Sequence, residues 1–127
     1  MKVGFCCGCF DGLHRGHQHF LLEAMCGCDH LIVALNADWW CKVHKGPGRP
    51  LYPLVDRIWK IQEFCGRRAA VVPFDGGHKA LIDLIQPDVI FAGFDQSDDY
   101  GSFPVKRIDE LPGYSTTLLA NMERAFK

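Results

Sequence analysis

Apolar residues fall along this chain in two rhythms that take turns. Residues 3–7, 30–35, 69–74 and 88–92 are short, nearly continuous apolar runs of strand length, and 103–108 is a weaker fifth. Between them the spacing changes to that of one helix face. Phe20, Leu21, Ala24, Met25 and Cys28 form a first stripe. Leu54, Ile58, Ile61 and Cys65 form a second, with Pro53 near its start and Gly66 just past its end. Leu81, Ile82 and Ile85 form a third, stopped by Pro87. Ser115 caps a last helix that carries Leu118, Leu119, Met122 and Phe126 on one face. Residues 8–12 form a glycine-rich turn, and 36–50 read as a polar, glycine-containing loop.

Strands that are apolar throughout and separated by helices predict a parallel sheet covered on both faces. The expected fold is α/β: a Rossmann-like, doubly wound parallel sheet of five strands, helices on both faces, and one domain over residues 1–127. Ligands in such sheets lie beyond the carboxyl ends of the strands, at the point where the winding reverses. That directs attention to segments 8–17, 36–50, 74–78 and 93–102.

Composition narrows the function classes. The chain has 127 residues, the size of a single domain, and an apolar fraction of 48% excludes disorder as the main state. Fourteen Lys and Arg against fifteen Asp and Glu give a net charge of −1. No global field favours nucleic acid or an anionic membrane, so any phosphate is held by a local site. No apolar run reaches the roughly 20 residues of a membrane helix, and no signal peptide is legible at the start. A cytoplasmic location is the expectation. The seven cysteines are then reduced thiols, and at least one has no partner within the chain. Their spacing does not match the paired ligands of structural zinc, and Cys6 and Cys7 point to opposite faces of a strand. They read as small core residues.

The turn after the first strand carries the chemistry. Gly8, Cys9, Phe10, Asp11 and Gly12 lead into His14, Gly16 and His17 at a helix start. Glycines permit close backbone approach, and a helix N-terminus offers N–H groups to an anion. His14 and His17, three apart, share a helical face, and their imidazoles can donate to phosphate oxygens. Taken alone, a pair of histidines three residues apart favours a metal pair or two surface histidines over a phosphate site.

The wording G-C-F-D-x-x-H-x-G-H resembles the cytidylyltransferase-like nucleotidyltransferases, which carry an H-x-G-H signature. The resemblance continues through residues 34–57, where Lys45 precedes Arg49-Pro50 and Arg57. It continues at Gly93-Phe94-Asp95 and at Gly113-Tyr114-Ser115-Thr116-Thr117. Four blocks in the right order span most of the chain. Among family members they are similar to the heptose-1-phosphate nucleotidyltransferase domain and to glycerol-3-phosphate cytidylyltransferase. The G-C-F-D and R-P wording leans toward the first.

The resemblance implies transfer of a nucleoside monophosphate from ATP or CTP to a sugar phosphate or polyol phosphate, with release of pyrophosphate. His14, His17, Lys45 and Arg57 are then the catalytic residues. Gly8, Cys9, Phe10, Asp11, Gly16, Gly93, Asp95, Ser115, Thr116 and Thr117 line the nucleotide. His14 and His17 meet the α- and β-phosphates. Lys45 closes over the phosphates from the long loop. Arg57 touches the triphosphate or the acceptor phosphate, and Asp11 a metal-bound water or an acceptor hydroxyl. Mg²⁺ arrives with the triphosphate, no metal is held by protein ligands alone, and a homodimer is implied.

Plainer readings stand beside these. Ser115 suffices as a helix cap and Asp11 as a turn cap. Lys45 fits a solvated face, and Arg57 a surface pair with Asp56 or Glu63. Trp39 and Trp40 fit either a stack on a base or sugar or a dimer contact. The alternatives in other classes are a catalytically inactive nucleotide-binding module and a zinc-holding structural protein.

Overall fold

In a computed structural model the five apolar runs pair into one parallel sheet. The structure describes residues 1–75, 77–93 and 100–109; the helix expected from Ser115 lies outside them. The strands are β1 (Val3–Gly8), β2 (His30–Asn36), β3 (Ala69–Phe74), β4 (Val89–Gly93) and β5 (Val105–Ile108). The helices are α1 (Arg15–Cys26), α2 (Asp38–Lys45), α3 (Leu54–Cys65) and α4 (His78–Ile85). A short 3₁₀ turn at Gly66–Arg68 joins α3 to β3. The sheet order is β3-β2-β1-β4-β5, with every pairing parallel. The winding therefore starts at β1, runs outward to β3 and returns to β4, which is the doubly wound arrangement expected.

Alternation along each strand divides the core. Cys6, Leu31, Val33, Leu35, Val89 and Phe91 face the layer built with Leu21, Ala24 and Met25 of α1 and Ile61 and Cys65 of α3. Phe5, Cys7, Ala34, Ile90 and Ala92 face the opposite layer, against Ile82 of α4 and Tyr100. Cys6 and Cys7 do point to opposite faces. All seven cysteines are free thiols; only Cys26 is exposed. Pro73 is tolerated in β3 because that strand lies at the sheet edge.

The expectation of a loop over 36–50 is corrected, since Asp38–Lys45 is helical. Asp38 lies in its first turn and Lys42, His44 and Lys45 in its last, so the side-chain charges complement the helix dipole. Cys41 supplies its buried contact. No side chain caps Ala37, the residue that precedes it. At eight residues with no capping side chain, the segment is too short for its apolar positions Trp39, Trp40, Cys41 and Val43 to stand out as a helix face.

One close approach depends on a missing side chain. A Cβ at Gly4 would lie 2.6 Å from the Phe91 ring and 2.8 Å from Cys28 Sγ. Gly4→Ala is therefore expected to destabilise the fold by about 1–3 kcal/mol through overpacking. A lowered urea midpoint, partly restored by Phe91→Leu in the same chain, checks this. An unchanged midpoint contradicts it.

Candidate functional site

The segment that leaves β1 is strained and then pinned. Phe10 and Leu13 both have left-handed backbones, at φ 48 and φ 39. Such conformations in non-glycine residues cost of order 1 kcal/mol or more each, and persist only where surroundings enforce them. Phe10 is enforced by burial: its ring packs against Phe20 and, at 5.5 Å between centroids, against His17. Leu13 packs on the same core. A Cβ at Gly8 would lie 3.2 Å from the Phe10 ring, so the strand's last glycine leaves room for that ring.

His14 is not inside α1 but caps it, with an extended backbone at φ −70, ψ 175. The N–H groups of Gly16 and His17 donate to His14 Nδ1, at 3.0 and 3.3 Å. The first N–H groups of this helix are thus not standing free for an anion, as the sequence suggested; the histidine takes two of them. An Nδ1 that accepts carries no proton, so the neutral ring has its N–H on Nε2. The two imidazoles are brought together by stacking, with centroids 3.7 Å apart and planes 17° from parallel.

Burial lowers the pKa of His14. His17 is lowered to about 3, mainly by burial, with further contributions from His14, Lys45 and Arg49. Both rings are neutral near pH 7. Among the described residues nothing hydrogen-bonds the enclosed Nδ1 of His17. The folded pKa of His17 lies below its ordinary value of 6.5, so between the two the unfolded chain binds the extra proton. Its contribution to stability is therefore intact above pH 6.5 and is lost as pH falls toward 3. Between about pH 7 and about pH 5 the urea midpoint should fall less in His17→Asn than in the wild type. Equal falls contradict the burial of a neutral ring.

Asp11 is 3% exposed and its carboxylate is committed. It accepts from the N–H groups of Leu51 (2.6 Å) and Tyr52 (3.0 Å), and pairs with Arg49 Nε at 3.3 Å. These partners lie far in sequence from the turn that Asp11 was expected to cap. Asp11 instead fastens the turn after β1 to segment 49–52. Among the described residues no three His, Cys, Asp or Glu side chains converge as a metal site.

Arg57 is likewise held by groups of the protein itself. It has no solvent exposure. Nε donates to Tyr52 O at 3.0 Å, Nη1 to Cys9 O at 3.0 Å and Nη2 to Asp38 Oδ1 at 2.6 Å. It does not form the expected surface pair with Asp56 or Glu63. It braces three segments at once: the turn after β1, the start of α2 and the loop before α3. Lys45 is exposed at the last position of α2 rather than on a long loop, and its charge still acts on both His17 and Cys9.

Cys9 sits in the same cage, 7% exposed. Its sulfur accepts from Asn36 Nδ2 at 3.8 Å. A hydrogen bond from the Cys41 thiol lowers its pKa to about 7 against the opposing effect of burial; Asn36, Lys45 and Arg57 assist. Sequence reasoning missed Asn36, Asp38 and Cys41. The available signal was Asn36 and Asp38 at the carboxyl end of an apolar strand. Gly16 lies in the first turn of α1, and Gly93 ends β4 with its carbonyl accepting from Arg107 Nη1 at 3.1 Å. Asp95, Ser115, Thr116 and Thr117 lie outside the described residues. Trp39 Nε1 donates to Asp75 at 2.6 Å, and Trp40 stacks on His44. His14, His17, Cys9, Phe10, Asp11 and Lys45 thus gather beyond the carboxyl end of β1, beside the β1/β4 reversal.

A sequence profile described as cytidylyltransferase-like matches residues 5–121. The Acidiphilium cryptum bifunctional protein HldE is 36% identical over 125 residues, which are 91% of this chain and 26% of that protein. Its Gluconacetobacter diazotrophicus counterpart is 43% identical over 100 residues, 78% of this chain and 20% of that protein. The chain thus spans about a quarter or less of these relatives' length. A crystal structure of the lipopolysaccharide core biosynthesis protein from Thermoplasma volcanium superposes with a TM-score of 0.71 at 25% identity, covering 87% of this chain and 97% of that one. No described helix is long and apolar enough to cross a membrane.

Proposed function

This chain belongs to the cytidylyltransferase-like family, and we propose that it transfers a nucleoside monophosphate from ATP or CTP to a phosphorylated sugar. The observation that carries the reading is the stacked, neutral His14–His17 pair at the end of β1. An uncharged imidazole offers an N–H donor without holding a counter-charge when the site is empty. Its N–H becomes more valuable as negative charge grows on the transferring phosphoryl group.

In the proposed reaction an oxygen of the acceptor phosphate attacks the α-phosphorus in line. The bond to pyrophosphate breaks, and no covalent enzyme intermediate forms. His14 Nε2–H and His17 donate to phosphate oxygens. Lys45, on α2, adds a positive charge over the leaving pyrophosphate. Gly8, Cys9, Phe10, Gly16 and Gly93, with Asp95, Ser115, Thr116 and Thr117, complete the nucleotide pocket in this reading. Arg57 and Asp11 act as positioning residues that hold the turn against α2 and segment 49–52. Magnesium, when bound, neutralises and orients the triphosphate through its own phosphate oxygens, which requires no cluster of protein ligands. A homodimer in the cytoplasm belongs to the same reading.

A sugar phosphate is preferred to a polyol phosphate on two grounds. The G-C-F-D and R-P wording leans that way, and the Thermoplasma volcanium relative is a lipopolysaccharide core biosynthesis protein. The test is pyrophosphate release from ATP and from CTP, with sugar 1-phosphates, heptose 1-phosphate among them, and with glycerol 3-phosphate. Release that depends on a sugar phosphate supports the proposal, and release with glycerol 3-phosphate alone corrects the acceptor. Nucleotide binding without release under any pairing overturns catalysis in favour of a binding module.

A further inference from the structure

Two thiols of the cage meet across elements far apart in sequence. Cys9 lies in the turn after β1, and Cys41 is the buried residue of α2. Asn36 ties them together: its Nδ2 donates to Cys9 Sγ at 3.8 Å, and its carbonyl accepts from Cys41 Sγ at 4.0 Å. The Cys41 thiol is also within hydrogen-bonding reach of the Cys9 sulfur, so its single proton has two competing acceptors, that sulfur and the Asn36 backbone carbonyl. Both backbones are already braced at this place, because Arg57 binds Cys9 O and Asp38 together.

We propose that Cys9 and Cys41 form a redox site, closed to a reversible disulfide by a hydroperoxide. Cys9 is the attacking sulfur because it is the more open of the two, at 7% exposure against 1%. Its thiolate attacks the peroxide oxygen; the O–O bond breaks, and the leaving oxide departs as water or alcohol with a proton. The product is a sulfenic acid at Cys9. The Cys41 sulfur then attacks the Cys9 sulfur. The S–S bond forms, the S–O bond breaks, and the hydroxide leaves as water with the Cys41 proton. Two thiols have lost two electrons and two protons, and the peroxide has accepted both. The lowered pKa of Cys9 fits the first step. The other clustered thiols are held back: burial raises Cys6, Cys28 and Cys65. Lys45 lies one helical turn beyond Cys41 on the same side of α2. Closure of the disulfide therefore pins the helix that carries the pyrophosphate-facing cation, and lowers turnover. This last consequence rests on the function proposed above.

The experiment uses the full reduced chain. It is treated with hydrogen peroxide, unfolded, blocked with a maleimide, digested and mapped by mass spectrometry. The expected product is a Cys9–Cys41 linked peptide pair, lighter by two hydrogen atoms and separated by dithiothreitol. In Cys41→Val and Cys41→Ser the link is absent and Cys9 proceeds to the sulfinic acid, which dithiothreitol does not reverse. A wild-type map in which Cys9 and Cys41 are both maleimide-blocked, or in which Cys9 is sulfinic, overturns the proposal. Turnover measured on the same samples separates the two readings. If the link forms and turnover is unchanged, pinning of α2 is overturned. If the link forms and the reduced chain has no turnover, the transferase reading fails and the redox site stands.

Discussion

A His17→Ala enzyme is expected to turn over roughly 10²–10³-fold more slowly than the wild type, a loss of about 2.7–4 kcal/mol of transition-state stabilisation. The ring is neutral because burial disfavours its charged form, so its contribution is a placed hydrogen bond rather than a standing charge. A bond of that kind strengthens as charge accumulates on the transferring phosphoryl oxygens. Its loss should therefore reduce kcat and kcat/KM together and leave KM nearly unchanged. His14→Ala is expected to behave differently. His14 also caps α1 through Nδ1, so its removal lowers stability by about 1 kcal/mol as well as slowing turnover. Steady-state kinetics and urea melts on the two variants separate these effects. A His17→Ala enzyme within a few-fold of wild type would mean that His17 does not touch the reacting phosphates.

The sheet and its ligand-bearing edge were legible because burial imposes a pattern. The residues that pack β1, β2 and β4 on both faces have to be apolar, and their runs mark the strands almost to the residue. The histidine pair was legible as a motif, but its geometry was not. Nothing in the sequence says that His14 Nδ1 takes the N–H groups of Gly16 and His17, because a capping histidine reads like any other polar residue. Helix α2 was hidden for a related reason. It is eight residues long and has no side-chain cap, and it is held by one buried cysteine, the Asp38–Arg57 pair and dipole-matched charges while Trp39 and Val43 stay exposed, so its short apolar pattern does not read as a core-facing helix. Arg57 and Asp11 were legible as important residues, but the bonds that hold them were not. Charged side chains beside a phosphate motif invite a ligand, yet their partners include backbone groups 40 to 48 positions away that no local reading finds. That long-range wiring is what holds a strained turn in the shape that brings His17 beside His14.

The Arg57 brace makes a prediction whose sign is easy to get wrong. Arg57 is fully buried while Asp38 is half exposed, at 0% and 50%. Asp38→Ala leaves a guanidinium in the interior with only the carbonyls of Cys9 and Tyr52 as partners. Stranding a buried charge costs about 3–5 kcal/mol, and the two remaining acceptors place this case near the lower figure. Arg57→Met does the reverse. The released aspartate turns to water, and the cost is confined to two carbonyls deprived of a donor, on the order of 1–3 kcal/mol together. The exposed partner is therefore expected to be the more damaging one to remove. It follows that Arg57→Met should rescue Asp38→Ala, because in the double variant no charge is left inside. Urea denaturation of the two single variants and the double gives the comparison directly. A double variant less stable than Asp38→Ala alone would show that the guanidinium's bonds to the Cys9 and Tyr52 carbonyls outweigh the cost of the stranded charge. Against a total stability of roughly 5–15 kcal/mol, the Asp38→Ala loss is large enough to empty the site by loosening α2 before any residue that faces the nucleotide has been changed.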